Sequence, residues 1–139
     1  MRTDFQYDGK GRIAKILSGT NSLSENGANY PAINGETTYS YDANDRTLSV
    51  IAKLASGTRN VLLNQYDGLG RLSQMTDGAG NQTNYSYDNQ RDFLLSSIAG
   101  ANNSAEAVTV QNSFDRLGRL MTSRTDPAGK NLTDRKSVV

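Results

Sequence analysis

Five aspartates recur at one kind of position in this 139-residue chain: Asp8, Asp42, Asp67, Asp88 and Asp115. Each directly follows an aromatic residue, namely Tyr7, Tyr41, Tyr66, Tyr87 and Phe114. A carboxylate can transfer protons, ligate a cation or accept hydrogen bonds from a turn. The chain has no histidine and no cysteine. That excludes a histidine-based triad, a thiol nucleophile and the usual zinc ligand sets. Carboxylate, lysine, serine, threonine or tyrosine chemistry is what remains. The acidic spacing does not match an EF-hand loop, which needs ligands at alternate positions and a closing glutamate. A carboxylate repeated in every copy of a unit is expected to serve each copy's structure. Each of the five therefore reads as the cap of its own turn, facing the arginine that follows at Arg12, Arg46, Arg71 and Arg119. Neither a metal nor a cofactor is expected.

Aromatic residues pair with equal parity as Phe5 with Tyr7, Tyr39 with Tyr41, and Tyr85 with Tyr87, while Tyr66 and Phe114 stand alone. Aligned hairpins would stack them into a ladder, and cross-strand aromatic pairs stabilise sheets. The functional alternative makes Tyr39, Tyr41, Tyr66, Tyr85 and Tyr87 a stacking platform for a glycan or a partner. Gly9-Lys10-Gly11-Arg12 and Gly68-Leu69-Gly70-Arg71 look like phosphate-cradling loops, but they lead into strands and lack the helix N-terminus such sites use. The sequons at Asn81, Asn84, Asn102 and Asn131 are expected by chance in a chain this rich in Asn, Ser and Thr.

The elements that carry these residues are strands. From Tyr66 to Tyr87 the chain completes a 21-residue unit. Gly68-Leu69-Gly70 can turn it, because glycine tolerates positive φ. Arg71 to Thr76 reads as a returning strand, Asp77-Gly78-Ala79-Gly80-Asn81 as a second turn. Thr83, Tyr85 and Tyr87 then alternate with Asn84, Ser86 and Asp88, the signature of a half-buried strand. The aromatic-Asp pairs are spaced by 34, 25, 21 and 27 residues. Extra residues fall in the polar stretches 18–38, 55–60 and 100–107, which are expected to be loops.

Ten strands are predicted, at about 3–8, 12–17, 37–42, 46–54, 60–67, 71–76, 82–88, 92–98, 107–114 and 119–125. The hairpins turn at 8–11, 42–45, 67–70, 88–91 and 115–118. Asn26-Gly27 and Asn34-Gly35 are further turn signals, with a small extra hairpin around 29–33. The tail 130–139 is irregular. Residues 1–139 read as one all-β domain.

Composition sets limits on partners. Hydrophobic residues make up 35% and the net charge is +1. Leu48, Val50, Ala52 and Leu54 alternate with Thr47, Ser49, Ile51 and Lys53, which suits a single sheet with one wet face. The only basic block is Arg135-Lys136, so nucleic acid is not expected as the main partner. No apolar run is long enough to span a membrane as a helix, and Met1-Arg2-Thr3-Asp4 does not read as a signal peptide.

The recurring Tyr-Asp-x-x-Gly-Arg-Leu core resembles the YD-repeat family, which includes Rhs proteins and the shell-forming subunits of bacterial Tc toxins. The resemblance covers about residues 5–129. The copies at Tyr66 and Phe114 follow the family pattern closely. The Tyr41 copy has Asp45 where glycine is expected, and the Tyr87 copy lacks both the glycine and the properly placed arginine. The resemblance implies antiparallel β-hairpins in a curved, strongly twisted sheet or open barrel-like strip. In the family such sheets enclose a toxic cargo domain; five copies would make a strip and no container.

In Rhs proteins the end of the shell resembles Asp126-Pro127-Ala128-Gly129, where aspartate-dependent self-cleavage releases cargo. That makes Asp126 the one catalytic candidate. Lys130 stands where the family motif has leucine, and the stretch is expected to be an ordinary second turn in a chain that stays intact. The reading that results is a non-enzymatic structural and interaction module, a shell segment that encloses or presents cargo. Its partners would be other YD repeats or a cargo domain, and its place secreted or at the cell surface. The alternatives are a carbohydrate-binding or adhesion module using the aromatic ladder, and an enzyme with a carboxylate and tyrosine site at a subunit interface. Unprotected edge strands near Phe5 and Leu120 invite association. A two-fold dimer is expected, burying Tyr39, Tyr41, Leu48, Val50, Tyr85 and Tyr87.

Overall fold

The computed structural model describes residues 2–19, 33–54, 56–127 and 136–137. Among them the only regular element is the β-strand. The strands are β1 Arg2–Tyr7, β2 Ile13–Gly19, β3 Ile33–Tyr41, β4 Thr47–Leu54, β5 Gly57–Tyr66, β6 Leu72–Asp77, β7 Gln82–Tyr87, β8 Leu94–Ala99, β9 Val108–Phe114, β10 Leu120–Pro127 and β11 Lys136–Ser137. The all-β class and ten strands read from the sequence are observed, and the two-residue β11 is added to them.

The chain gathers into two compact units, residues 1–63 and 64–139. In the first, β1 to β5 pair antiparallel in chain order. In the second, β6 to β11 do the same, and the last residues of β5 lead into its first turn. Short connections impose this order, because a strand that returns after a few residues can only run antiparallel to its predecessor.

The five aromatic-Asp turns lie where the sequence puts them. In each, the Asp N–H donates to the carbonyl that closes the loop: Asp8 to Arg12 at 2.8 Å, Asp42 to Arg46 at 2.9 Å, Asp67 to Arg71 at 2.8 Å, Asp88 to Phe93 at 2.9 Å and Asp115 to Arg119 at 2.9 Å. The fourth loop is one residue longer than the others.

A β-bulge sits beside the turn in four hairpins. Gln6 faces Lys15 but Tyr7 faces Ile13; Ser40 faces Ser49 but Tyr41 faces Thr47; Ser86 faces Ser96 but Tyr87 faces Leu94; Thr122 faces Ser113 but Leu120 faces Phe114. The residue skipped in each is Ala14, Leu48, Leu95 or Met121. Strict alternation of Leu48 with Val50 therefore fails. Leu48, Leu95 and Met121 are skipped in the register of their own hairpins and are exposed, as the extra residue of a bulge commonly is.

Local expectations change in four places, the first being the loop expected at 55–60, where β5 already starts at Gly57 and pairs with β4. Asn34-Gly35 is not a turn but part of β3, with Gly35 opposite both Ser18 and Leu54. A Cβ at Gly35 would lie 3.0 Å from Ser18 Oγ, so glycine serves close strand approach there. The loop expected at 18–38 narrows, because β2 runs to Gly19 and β3 starts at Ile33. The extra hairpin and Asn26-Gly27 lie outside the described residues. Asp126 and Pro127 do not turn either; they continue β10 opposite Thr109 and Val108. The rest of that motif, and most of the tail, lie outside the described residues.

No described residue is buried. The expected single dry face is instead two half-covered faces, since within each unit the sheet is one layer and side chains are screened only by their lateral neighbours. Cohesion must come from backbone ladders and from contacts between successive hairpins.

Candidate functional site

In four of the five aromatic-Asp turns the aspartate does three things, while Asp88 accepts only the N–H groups of Gln90 and Arg91, both at 2.8 Å. Asp67 Oδ1 accepts the N–H groups of Leu69 at 3.0 Å and Arg71 at 2.9 Å, while Oδ2 accepts Arg71 Nε at 2.7 Å. Asp8 repeats this with Lys10, Arg12 and Arg12 Nε. Asp42 repeats it with Asn44 and Arg46, and Asp115 with Leu117 and Arg119. The expected turn-capping role and the facing arginine are both present in these four. Asp77 uses the same geometry in the other kind of turn, with Asn81 Nδ2 at 2.9 Å in place of the guanidinium.

The arginine then reaches beyond its own hairpin. Arg71 Nη1 donates to Asp88 O at 2.9 Å and Asp92 Oδ1 at 2.8 Å in the next turn. Its guanidinium carbon stands 4.8 Å from the centre of the Tyr87 ring, and Tyr87 OH donates back to Leu72 O at 2.9 Å. Arg12 makes the matching set: Nη1 to Asp42 O at 3.4 Å, an ion pair with Asp45, the Tyr41 ring at 4.4 Å, and Tyr41 OH to Ile13 O at 2.8 Å. Lys10 adds Asp45 Oδ1 at 2.9 Å and Ala43 O at 3.2 Å. A planar fork suits this task, because one cation satisfies its own turn, a neighbouring carbonyl and a ring face together.

The two turns that depart from the repeat pattern are the ones that receive these locks. Asp45 and Asp92 have φ of 65° and 58°, the only non-glycine residues in the left-handed region among those described. Gly11, Gly70 and Gly118 hold that slot elsewhere at 81°, 86° and 82°. A non-glycine residue there costs about 1–2 kcal/mol, but aspartate is among the better tolerated and supplies the carboxylate that meets the preceding arginine.

The fourth hairpin solves the same problem with different atoms. Phe93 takes the register place of the missing arginine. Its ring centre lies 4.7 Å from that of Phe114, and a Cβ on Gly118 would lie 2.7 Å from Phe93 Cζ. Arg91, displaced in sequence, donates through Nη1 to Asp115 O at 3.3 Å and Arg116 O at 3.4 Å. Ring on ring replaces guanidinium on ring, and the carbonyl contact is kept.

In four of the five hairpins the residue preceding the aromatic pairs across the hairpin on the surface: Ser40 with Ser49 at 2.6 Å, Gln65 with Gln74 at 3.0 Å, Ser86 with Ser96 at 2.8 Å and Ser113 with Thr122 at 2.6 Å. An open depression of about 480 Å³ lies over Leu95, Ser96, Gln111, Asn112, Ser113, Thr122 and Arg124. At the opposite end of the strands, Asn102 accepts Gln82 N–H at 3.0 Å and donates to Gly80 O at 2.9 Å. That carboxamide is spent on holding two turns together.

Electrostatics agree with a structural use of the carboxylates. Asp8 is held below the usual carboxylate range by the Arg12 side chain, Asp45 by Lys10 and Asp77 by the Asn81 side chain. Asp67 and Asp115 are held down first by the N–H of Arg71 and Arg119. At Asp42 burial opposes the shift, and the Arg46 N–H and guanidinium outweigh it. A general acid needs the reverse, a raised value. Burial raises Tyr87.

The structure brings Asp8, Asp42, Asp67, Asp88 and Asp115 to turns, one per hairpin, and not to a common centre. Tyr41 and Tyr87 each have a ring face covered by arginine. Tyr39 and Tyr85 sit half-buried opposite Val50 and Ser97, and Asn64 Nδ2 donates to Tyr66 OH at 3.5 Å. Asp126 lies in β10 and accepts Arg124 Nη2 at 3.2 Å. Among the described residues no group of three acidic side chains could hold a metal ion. From the sequence, Lys10, Asp45 and Asn102 stand out only as part of a glycine-flanked loop, a departure from the repeat and a sequon, and Arg91, Asp92 and Phe93 do not stand out as contacts; none of the six is expected to join one turn to another. The signal for two of them was present, since both glycine replacements in the left-handed slot are aspartate.

Residues 66–105, which hold the Arg71–Tyr87–Asp92 lock, match the family model described as RHS Repeat. No curated protein matches the chain. Solved structures do. "Crystal Structure of TcdB2-TccC3-Cdc42" is similar with a TM-score of 0.68 at 15% identity, covering 90% of this chain and 5% of that one. "Crystal Structure of TcdB2-TccC3" is similar with a TM-score of 0.67 at 15% identity, covering 90% and 6%. A mutated TccC3 form of the Photorhabdus luminescens Tc holotoxin pore gives 0.67, 15%, 90% and 5%. The chain thus shares its fold with about one twentieth of the length of those Tc toxin chains.

Proposed function

We propose that this chain, with an RHS repeat at residues 66–105, is a structural wall module, a run of hairpins that lock edge to edge in a toxin-type shell. The observation that carries the reading is the arginine lock. Arg12 and Arg71 each close their own turn and enter the next one, so the residues that define the repeat also define how repeats join. Enclosing or presenting a cargo domain outside the cell is the finer part of this proposal. It draws on the likeness to Tc toxin chains and on the family resemblance of the repeat core. A non-enzymatic role fits the spread of the carboxylates and their depressed pKa values. The same geometry counts against a sugar-stacking platform, because guanidinium groups take ring faces a sugar would need.

The test is a chimaera. Residues 64–127 replace the corresponding hairpins of the TccC3-containing Tc toxin chain, and the particles are imaged by electron microscopy. Intact particles are expected. Loss of particles with the exchange, in a chimaera whose strand content is unchanged by circular dichroism, would overturn the reading.

A further inference from the structure

Within each compact unit, successive hairpins meet in one way. The residue that closes the earlier turn touches the left-handed slot of the later one. Arg12 closes the first turn and pairs with Asp45. Arg71 closes the third and pairs with Asp92 at 2.8 Å. Phe93 closes the fourth, and its ring lies against Gly118. Arginine is thus followed by aspartate, at φ of 65° and 58°, and the phenyl ring by glycine, at 82°. The turn itself does not require this difference. Asp42 caps the N–H groups of Asn44 and Arg46 just as Asp115 caps those of Leu117 and Arg119, although the slot holds Asp45 in one and Gly118 in the other. Glycine would spare the second and fourth turns their backbone strain. What selects aspartate there lies outside the turn, in the hairpin before it.

We infer that the left-handed slot is a specificity determinant: it decides which closing residue, and so which hairpin, can precede it in the wall. A ring at the closing position demands glycine in the slot. Any Cβ at 118 would lie 2.7 Å from Phe93 Cζ and 3.3 Å from Cε2, and Phe93 is held against Phe114 with ring centres 4.7 Å apart. A carboxylate in the slot demands a guanidinium, because a ring would cover the charge and offer it no hydrogen bond. Ring before aspartate is excluded on both counts. Arginine before glycine, the combination of Arg46 and Gly70 in the sequence, is obstructed by neither. The fifth hairpin therefore accepts the fourth as its predecessor, while the second and fourth reject a hairpin closed by a ring. The inference rests on reading the hairpins as modules that lock in series.

Urea denaturation of the full 139-residue chain with substitutions at positions 93 and 118 tests it. Gly118→Asp is expected to lower the folded-to-unfolded ratio at least about tenfold more beside Phe93 than in a Phe93→Arg chain, the scale of an overpacked contact. Two controls separate charge from space. Phe93→Ala removes the ring without supplying a cation, and Gly118→Asn fills the slot without a charge. Phe93→Arg is expected to rescue Gly118→Asp about threefold better than Phe93→Ala does, as an exposed ion pair would, and to rescue Gly118→Asn no better. Circular dichroism reads the same rescue if Gly118→Asp beside Phe93 leaves the chain unfolded. An equal cost of Gly118→Asp beside Phe93 and beside arginine, or equal rescue by arginine and alanine, would overturn the inference. The chimaera that tests wall function keeps both of these residues as they are, so the two failures are distinguishable.

Discussion

The guanidinium of Arg71 lies 4.8 Å from the ring centre of Tyr87, which is 16 positions later and in the following hairpin. The same arginine caps Asp67 behind it and the Asp88 carbonyl ahead of it. One side chain thus fixes a turn and its successor, and stability in this single-layer sheet should depend on it more than on any apolar contact.

Lysine at position 71 keeps a charge but loses the fork and the flat face. Arg71→Lys is expected to lower Tm by roughly 5 °C. Arg119→Lys should cost clearly less, because among the described residues Arg119 holds only its own turn. Thermal melts of dilute protein check the difference, and equal losses would remove the cross-hairpin contact from the explanation.

Asp92 carries backbone strain and receives Arg71 at 2.8 Å. Asp92→Gly relieves the first and removes the second. In the parent chain the relief is partly offset by the lost pair, which contributes little because the carboxylate is exposed. In an Arg71→Ala background only the relief remains, so Asp92→Gly should be more favourable there than in the parent. A double-mutant cycle by urea denaturation measures this coupling; additive effects would show that the pair is not linked.

Gly11 and Gly118 share a left-handed φ, but a Cβ meets nothing within 4 Å at Gly11 and Phe93 Cζ at 2.7 Å at Gly118. Gly11→Ala should cost about 1–2 kcal/mol from the backbone alone. Gly118→Ala should cost more and move Phe93 off Phe114. Denaturation midpoints rank the two variants, and Phe93→Leu should narrow the gap between them.

Six aspartates (Asp8, Asp42, Asp45, Asp67, Asp77, Asp115) are held below the ordinary value of 3.8. The unfolded chain therefore takes up protons at higher pH than the folded one, and stability falls as acid is added. The contribution is fully present well above pH 3.8 and is lost as pH drops through the depressed folded values. No histidine adds a step near neutrality. Melting temperature should be level from about pH 6 to 8 and decline below about pH 4.5. A maximum below pH 4 would contradict the shifts.

Local chemistry settled much of this protein before any tertiary contact. Aspartate before Gly-Leu-Gly or Gly-Lys-Gly caps a tight turn because its carboxylate reaches the N–H groups two and four residues on, and that reach is within one peptide segment. The five turns, the strands between them and the pairing of Asp67 with Arg71 were therefore legible from the sequence. Bulges were not, since skipping Leu48 or Leu95 depends on how two strands meet. Nor were Asn34 and Gly35 recognisable as strand, because glycine's role at 35 is set by Ser18 and Leu54 across the sheet. The largest difference lies at Asp45, Asp92 and Phe93. Read along the chain they are departures from a repeat. Only when Arg12, Arg71 and Gly118 are brought beside them does each become the matching half of a contact, because the partner lies in another hairpin and no rule of local spacing can name it.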